Sequence, residues 1–497
     1  MRQLSWAFVV FFCLFTRAWA AEDTLRVGLT ALPDSMGDPH RSVSVFSSYS
    51  WVPVFETLTA FNADGTLGPQ LATDWHSISP TTWTFDLRKD VVFSNGVPFT
   101  ANAVVKILEY LKTPEGRAAA LSREFSTVSQ VEALDTHTVQ IHTYDPDIVL
   151  PRKLTTMYIV EPQAWVELGA DGFATEPVGT GPFKVTKWTS SKIEYEMNPL
   201  AWRRPRVSGL EIFELRELMA RVNALLTDRL DIVIGLGPDD IPLVESAGGK
   251  IHRRDPIDVI SITFVIGQGH PVDDIRVRKA LNYAVNKESI TRVLLENLTK
   301  PATQGAVRGL LGYNTDLTAY RYDPELAKKL LAEAGYAEGF SLETEVIIGS
   351  NANDAAIYQL VTADLAKVGV SFQARPIPNG QMAKIVLQGE WRGEAFSQIF
   401  GSWPAFEPMR TLRTHSCLHS NPWYCDEQII PTMRAAMTAP TLEARINLTQ
   451  KVLAFYHEQA TSILLHEIPL LDGLGPRVRD YAPKKGKINY EAIWLEN

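Results

Sequence analysis

Alternating apolar and polar residues predict a strand early in the chain. In TWTFDLRKDVVFSNGVPFT, Trp83, Phe85 and Leu87 occupy every second position. This period is typical of a strand with one buried face, because successive side chains point to opposite sides. Asn95 and Gly96 follow as a turn signal. The stretch therefore predicts a strand, a turn and then a new element.

Apolar residues at helical spacing predict that this new element is a helix, with Val104, Leu108 and Leu111 on one face. A second helix has complete boundary signals in YDPELAKKLLAEAGY. Asp323 caps it, a proline occupies its first turn, leucines form its apolar stripe, and Gly335 ends it.

A helix followed directly by a strand recurs in NDAAIYQLVTADLAKVGVSFQARPI, where the helix stops at Gly369 and the strand covers 370–374. Two such units in series predict an α/β domain over about 270–465. Residues 60–200 are richer in strand and turn signals. Because 497 residues exceed one ordinary core, two or more domains are expected.

The first 20 residues have the features of a secretory signal peptide. Arg2 precedes an apolar run that ends in Ala-Trp-Ala, the small-x-small pattern of a cleavage site. The run is shorter than the roughly 20 residues that span a membrane. We expect cleavage near Ala20/Ala21 and a periplasmic mature protein.

The charge balance excludes some partners. The chain has 48 basic and 57 acidic residues and a formal net charge of −9. Removal of Arg2 and Arg17 with the leader makes the mature chain more acidic. An acidic chain of this kind argues against nucleic acid or an anionic membrane as a partner.

The stretch RTHSCLHSNPWYC holds two of the three cysteines and two of the ten histidines. In an oxidising compartment, a disulfide between Cys417 and Cys425 is favoured, and it would contribute roughly 2 to 3 kcal/mol. A zinc site is the alternative, although zinc needs four converging ligands and usually a tighter cysteine spacing. His415 is expected at the surface, and His419 stays free for another role.

Four ordered motifs together resemble one family. These are FETLTAFNADGTLGPQLATDWHSISPTTWTFDLRKDVVFSNGVPFTANAVV, EPVGTGPFKVTKW, DIRVRKALNYAVNKESI and YDPELAKKLLAEAGY. The chain resembles the peptide/nickel/opine family of extracytoplasmic solute-binding proteins of ABC importers. The resemblance covers nearly the whole mature length.

This resemblance implies an α/β fold of the two-lobed periplasmic-binding-protein type (class II), with an extra subdomain inserted in lobe I. The implied division is lobe I from 21–58, 205–268 and 467–497, the extra subdomain from 59–204, and lobe II from 269–466. It also implies the mechanism: a small-molecule ligand lies between the lobes, a hinge closes, and the closed form docks on inner-membrane permease subunits. A monomer without a cofactor is expected.

The ligand-anchoring segment departs from that of dipeptide binders in the family. They hold the peptide ammonium with an aspartate in a Trp-x-x-Asp-x-x-Asp-Pro segment, which corresponds here to FGSWPAFEPMRTL. Glu407 and Pro408 align with the closing Asp-Pro, so the anchoring aspartate falls at Pro404. Proline carries neither a charge nor a donor, so this segment does not supply the family's anchor for a free α-amino group.

The same segment is similar to that of nickel-binding members. Trp403 and Phe406 would take the aromatic roles. His419 lies within one residue of the position at which nickel-binding members have their metal-binding histidine. Those members also hold a chelator's carboxylates with two arginines, which correspond here to Arg117 and Arg152. Guanidinium groups suit carboxylates because two parallel hydrogen bonds form at once. His419 is the one metal ligand considered, and only for a bound chelate.

Phe46 and Ser47 are further ligand candidates, because they stand at the family's early cleft positions within RSVSVFSSYS. Nickel-binding members have a tyrosine and a methionine in this early cleft segment, and polar residues replace them here. The candidates also have ordinary structural interpretations: Arg117 as a solvated cation, and Trp403 with Phe406 as core aromatics.

The function predicted is capture of a peptide or peptide-like molecule that bears a carboxylate, for delivery to a permease. A metal chelate or an opine is the alternative cargo. A secreted hydrolase is a distant alternative, since the sequence has no G-x-S-x-G elbow, H-E-x-x-H helix or paired zinc-ligand spacing. We expect no enzymatic activity.

Overall fold

A computed structural model describes residues 23–496. The predicted leader and its cleavage site lie outside these residues. Within the described part, no helix is both long enough and apolar enough to cross a membrane.

The strands alternate with helices along the chain. The strands are β1 (Thr24–Leu29), β2 (Thr59–Phe61), β3 (Leu67–Pro69), β4 (Ala72–Ser79), β5 (Thr82–Leu87), β6 (Val128–Asp135), β7 (Thr138–Thr143), β8 (Phe183–Trp188), β9 (Lys192–Met197), β10 (Gly209–Glu214), β11 (Ile232–Ile234), β12 (Lys250–Arg254), β13 (Asp258–Phe264), β14 (Phe340–Val346), β15 (Val370–Pro376), β16 (Ala395–Gly401), β17 (Ser462–Glu467), β18 (Leu470–Leu474), β19 (Val478–Arg479) and β20 (Trp494–Leu495). The α-helices are α1 (Val45–Trp51), α2 (Ala101–Tyr110), α3 (Pro114–Ala118), α4 (Leu150–Lys153), α5 (Pro162–Thr175), α6 (Leu218–Leu226), α7 (Ile241–Ser246), α8 (Ile275–Ala284), α9 (Lys287–Ser289), α10 (Pro324–Glu333), α11 (Asp354–Ala366), α12 (Asn379–Gln388), α13 (Met409–Thr414), α14 (Ile430–Met437) and α15 (Leu442–Glu458).

Two large mixed sheets organise the molecule. The first sheet has seven strands in the order β12-β18-β11-β1-β10-β9-β8, with β1 parallel to β10 and β11. The second sheet has five strands in the order β15-β14-β16-β13-β17, with β14 parallel to β15 and β16. A small antiparallel sheet contains β4, β5, β7 and β6.

The predicted local elements are present. β5 buries Trp83, Phe85 and Leu87, as the alternation requires. In α10, the Asp323 side chain accepts a hydrogen bond from the backbone N–H of Leu326, which is the predicted cap. Gly335 adopts a φ of +93° beyond the helix end, a conformation that favours glycine.

The small sheet shares a core with the first sheet. Phe85 and Ile141 of the small sheet are fully buried in the same hydrophobic cluster as Val27 and Ile212 of the first sheet. β8 and β9, which lie within the range expected for the extra subdomain, pair into the first sheet. This part of the molecule therefore packs around one continuous apolar interior.

The chain passes between the two large sheets at neighbouring points. Residues 255–257 join β12 to β13, and residues 468–469 join β17 to β18. Arg254 and Asp472, one beside each passage, form a buried ion pair with Nη2 and Oδ1 2.9 Å apart. The Tyr481 hydroxyl donates to the other carboxylate oxygen at 2.7 Å. These contacts tie the two passages together on the side of the first sheet.

Candidate functional site

The segment 402–408 leaves β16 of the second sheet and reaches the first part of the molecule. The backbone N–H of Ser402 donates to Asp258 Oδ1 at 3.0 Å, and its hydroxyl donates to the carbonyl of Ile257 at 2.6 Å. Ile257 ends the 255–257 passage and Asp258 begins β13, so the start of the segment is held where this passage enters the second sheet. The Trp403–Pro404 peptide bond is cis.

Trp403 and Phe406 are buried against residues of the first part of the molecule. Their rings lie edge to face with centroids 5.5 Å apart, and Phe61 of β2 packs edge to face on Phe406 at 4.7 Å. A Cβ at Gly486 would lie 2.6 Å from the Trp403 ring and 2.8 Å from the Phe406 ring. Only glycine fits there without displacing these aromatic side chains.

Phe406 adopts an unusual backbone conformation, with a φ of +51°. Residues other than glycine seldom occupy this left-handed region, and such strain clusters at binding and switch sites. The conformation places the ring between Trp403 and Phe61.

Arg152 joins this contact from α4. Its Nε donates to the carbonyl of Ala405 at 2.8 Å, and its guanidinium lies 4.7 Å from the centre of the Phe61 ring. Burial lowers the pKa of Arg152 to about 10, since removal of water penalises the charged form. Among the described residues, Arg152 forms no ion pair with a carboxylate. A cation of this kind at a contact between two sheets is a functional-site candidate.

The nearest carboxylate on the segment is already occupied. Both oxygens of Glu407 accept from Arg445, at 2.9 and 3.2 Å, and both side chains are buried. Arg445 also donates to the carbonyls of Ala436 and Met437. This pair therefore anchors the segment to the second part of the molecule.

Arg117 lies apart from this contact as far as the described residues show. It is exposed in α3, which Thr113 caps by accepting from the Gly116 N–H. No described contact brings Arg117 to Arg152 or to the 402–408 segment. A neighbouring ion pair does link the two parts: Arg410 Nε lies 2.9 Å from Glu124 Oε1.

Phe46 and Ser47 belong to α1, on the first part of the molecule. Phe46 is 54% exposed and packs edge to face on Tyr49. Ser47 is buried, with its hydroxyl 3.4 Å from that of Ser42. The next residue, Ser48, donates to the Gly486 carbonyl at 3.2 Å. Through Ser48, α1 contacts the turn that supports Trp403 and Phe406.

The disulfide prediction is confirmed, because Cys417 and Cys425 are joined. Among the described residues, no group of three or more His, Cys, Asp or Glu side chains is arranged to hold a metal ion. His419 is partly buried within the closed loop, contacts the backbone of Asn421, and lies 5.8 Å from the Trp423 ring centre.

The surface prediction for His415 is wrong. The side chain is fully buried, with its ring 4.4 Å from Phe400 and its Nδ1 accepting from Trp423 Nε1 at 3.1 Å. Burial lowers the pKa of His415 to about 3, so the ring is neutral. The aromatic residues around it come from β16 and from the loop near the disulfide, which the local sequence could not bring together.

Phe61 and Gly486 are the participants that sequence reasoning missed. Phe61 stands within the first family motif, in FETLTAFNADG, but the motif does not mark it as a contact residue. Gly486 stands near the chain end in KKGKIN. Both act through long-range packing on Trp403 and Phe406, so no local pattern reveals them.

A family model matches this chain. The model of bacterial extracellular solute-binding proteins, family 5 (middle), matches residues 66–417. That range includes the small sheet, the second sheet's central strands and the segment 402–408.

Curated relatives cover almost the full length. The chain is 26% identical over 498 residues to di/tripeptide-binding protein 2 of Pseudomonas aeruginosa, covering 93% of each chain. It is 26% identical to the nickel-binding periplasmic protein of Escherichia coli, covering 88% of this chain and 89% of that one.

Solved structures share the fold. A DppA periplasmic binding protein from Helicobacter pylori in complex with peptide STSA has a TM-score of 0.80 at 21% identity, covering 95% of this chain and 98% of that one. NikA from Brucella suis in complex with Fe(III)-EDTA has a TM-score of 0.82 at 22% identity, covering 95% and 100%. The predicted α/β, two-lobed fold class is thereby confirmed.

Proposed function

Because the chain belongs to family 5 of the bacterial extracellular solute-binding proteins, we propose that it captures a peptide or peptide-like acid outside the cytoplasm and delivers it to an ABC permease. The ligand would be held between the two lobes, at the contact of segment 402–408 with Arg152 and Phe61. The protein's task is binding and release, without turnover.

One observation carries this proposal: Arg152 is a desolvated guanidinium at the contact between the lobes, and no ion pair is formed with it by the nearby Glu407, whose two oxygens accept from Arg445. Its Nε is used by Ala405, which leaves donors for a ligand. A carboxylate would form charge-assisted hydrogen bonds with them, and these strengthen as water leaves the site.

The surrounding aromatic residues fit the same role. Trp403, Phe406 and Phe61 provide apolar surface beside the guanidinium. Sites of this type combine an apolar lining with a few polar groups that orient the ligand. Of the other candidates, Phe46 is available to a ligand by its exposure, whereas Ser47 is buried.

The mechanism follows from the two passages between the sheets. Closure shifts a population toward the state in which Arg152 meets Ala405, and a ligand drives it only by binding that state better. The proposed division remains lobe I from 21–58, 205–268 and 467–497, its subdomain from 59–204, and lobe II from 269–466. Within it, β8 and β9 of the subdomain range pair into the first sheet, and β13 at the end of the second lobe I range pairs into the second sheet.

A carrier of a metal chelate or an opine is the second candidate. The observation that favours it is His419, placed beside Trp423 in the loop closed by the disulfide. NikZ from Campylobacter jejuni was solved with Ni(L-His), and AgaA with agropinic acid. Here a metal would be held mainly by its chelator, whose carboxylates Arg152 would bind.

Two arginine variants test the proposal. The ligand-free, refolded protein is screened by thermal shift against dipeptides, tripeptides, nickel–citrate and opines, and the best probe is then titrated by calorimetry. We expect Arg152→Ala to weaken binding more than tenfold. Unchanged affinity would remove Arg152 from the site, and thermal shifts from nickel–citrate or opines alone would favour the second candidate.

Arg88→Ala is the matched control. Arg88 also donates its Nε to a backbone carbonyl, that of Gln70 at 2.7 Å, and also lies over an aromatic ring, Trp202 at 4.0 Å. Both of these contacts are within the first part of the molecule. The control variant should lose the same kind of packing while binding the probe as the wild type does.

A further inference from the structure

At the contact around residues 403–407, some hydrogen-bond donors have no acceptor, whereas several carboxylates already have partners. The Nε–H of Arg152 donates to the carbonyl of Ala405. Its other N–H groups form no ion pair with a carboxylate among the described residues. The indole Nε1 of Trp403 is buried and has no hydrogen-bond partner among the described residues, and the side chain is only 8% exposed. Buried donors of this kind require an acceptor.

Three carboxylates at this contact are already paired with cations. Glu407 is held by both Nε and Nη2 of Arg445. Glu124 is paired with Arg410, and Asp147 is paired with Lys153 on the subdomain side. None of these three acceptors is free to receive an ammonium group from a ligand.

Lys485 is a second positive charge at this contact. The Lys485 Nζ lies 5.9 Å from the centre of the Phe406 ring, on the turn that contains Gly486. Burial and the charge of Arg152 lower the pKa of Lys485, while Asp255 opposes this effect. Arg152 and Lys485 are therefore close enough to repel each other electrostatically, and both would repel a ligand ammonium.

We propose that this site takes a peptide-like ligand that brings a carboxylate and has no free ammonium group, such as an N-acylated dipeptide. This inference rests on the proposed function and narrows its ligand class. The ligand carboxylate supplies acceptors to Arg152 and Trp403, while the acylated nitrogen needs no carboxylate partner. A zwitterionic dipeptide would bring its ammonium close to the positive charges of Arg152 and Lys485, which is unfavourable.

Matched chemical pairs test the inference on the refolded full-length mature protein. A set of dipeptides is prepared in three forms: free, N-acetylated, and N-acetylated with an amidated C-terminus. Dissociation constants are measured by calorimetry at one pH and salt concentration. We expect acetylation to tighten binding at least tenfold and amidation to abolish it.

The outcomes separate the two levels of the proposal. Free dipeptides that bind as tightly as their acetylated forms would overturn the ligand class and leave the peptide-binding function intact. If amidated forms bind as well as the acids, the carboxylate role of Arg152 is wrong. If no form binds and other small molecules do, the peptide function itself fails.

Discussion

Arg152 and Arg88 show how similar local contacts have different meanings. Each donates Nε to a backbone carbonyl and covers an aromatic ring. Arg88 makes these contacts within the first part of the molecule. Arg152 joins α4 to Ala405 of the segment that leaves the second sheet, which is why we propose it as a ligand-binding residue. The position in the fold gives the residue its proposed role.

Lys287 is a buried ammonium with no carboxylate partner among the described residues. Its Nζ donates to the Asn282 carbonyl at 2.8 Å, and burial lowers its pKa to about 7. The titratable side chains near it are Tyr320 and His457. Charging this group in the folded state is costly, so it links stability to pH.

We expect Lys287→Met to be more stable than the wild type at pH 6, with a difference that shrinks as pH rises. The pKa of Lys287 in the folded protein lies below the unfolded value of about 10.4. At pH values between these two pKa values, the unfolded chain therefore binds more protons than the folded one. Wild-type stability therefore rises with pH from about 7 to about 10, and the cost is fully present below pH 7. Urea unfolding at several pH values measures this.

Lys329→Met is the control, because Lys329 is an exposed lysine on α10. It should leave the pH dependence unchanged. Lys487 also has its pKa lowered to about 7 by burial, so part of the slope should remain in the Lys287 variant. A Lys287 variant with the same pH profile as the wild type would show that this ammonium is solvated.

At the scale of elements, sequence patterns predicted those parts that depend on local chemistry. The alternation in β5 and the cap and stop of α10 predicted both elements with their buried faces. The resemblance predicted the fold class and the position of segment 402–408. Which elements meet this segment could not be derived, because Phe61 and the 484–487 turn approach it only through tertiary packing.

The loop closed by the disulfide also illustrates this limit. Cysteine spacing predicted the bond, but the same stretch gave the wrong environment for His415. The loop turns inward through Trp423, whose carbonyl accepts from the Ile266 N–H and whose indole donates to His415. An inward-facing tryptophan eight residues away is not visible as a periodic pattern.

We expect the double variant Cys417→Ser/Cys425→Ser to lose about 2 to 3 kcal/mol of unfolding free energy, because the short loop is no longer closed in the unfolded state. Chemical denaturation measures the loss. A reductant should lower the wild type to the level of the variant and leave the variant unchanged. A reductant effect of equal size on both proteins would contradict a role for this bond.

At the scale of the whole molecule, the two lobes are joined by passages and by contacts that span the closing surfaces. Arg254 and Asp472 hold the passages together. Arg410 and Glu124 form an ion pair between α13 and the first part of the molecule, with Arg410 52% exposed. The first pair joins neighbouring strands beside the passages, and the second joins α13 to the 120–124 region of the first part of the molecule.

We expect Arg410→Ala to weaken ligand binding by no more than about fivefold, because an exposed ion pair contributes roughly 0.2–1 kcal/mol to the closed state. Calorimetry with the best probe measures this, and solution scattering reports the share of closed molecules. Arg413→Ala is the control, since Arg413 is exposed on the same helix. Identical affinity in both variants would show that the pair contributes nothing measurable to the closed state, and a loss above a hundredfold would place Arg410 on the ligand.

The strand order of the first sheet has a consequence for biogenesis. β18 lies between β11 and β12, yet it follows the whole second sheet along the chain. During synthesis the sheet stays split until residues 470–474 have emerged from the ribosome, so late pairing must close a long stretch of polypeptide. The first sheet therefore cannot be completed until nearly the whole chain is available, so we expect β18 to be among the last strands to pair during folding.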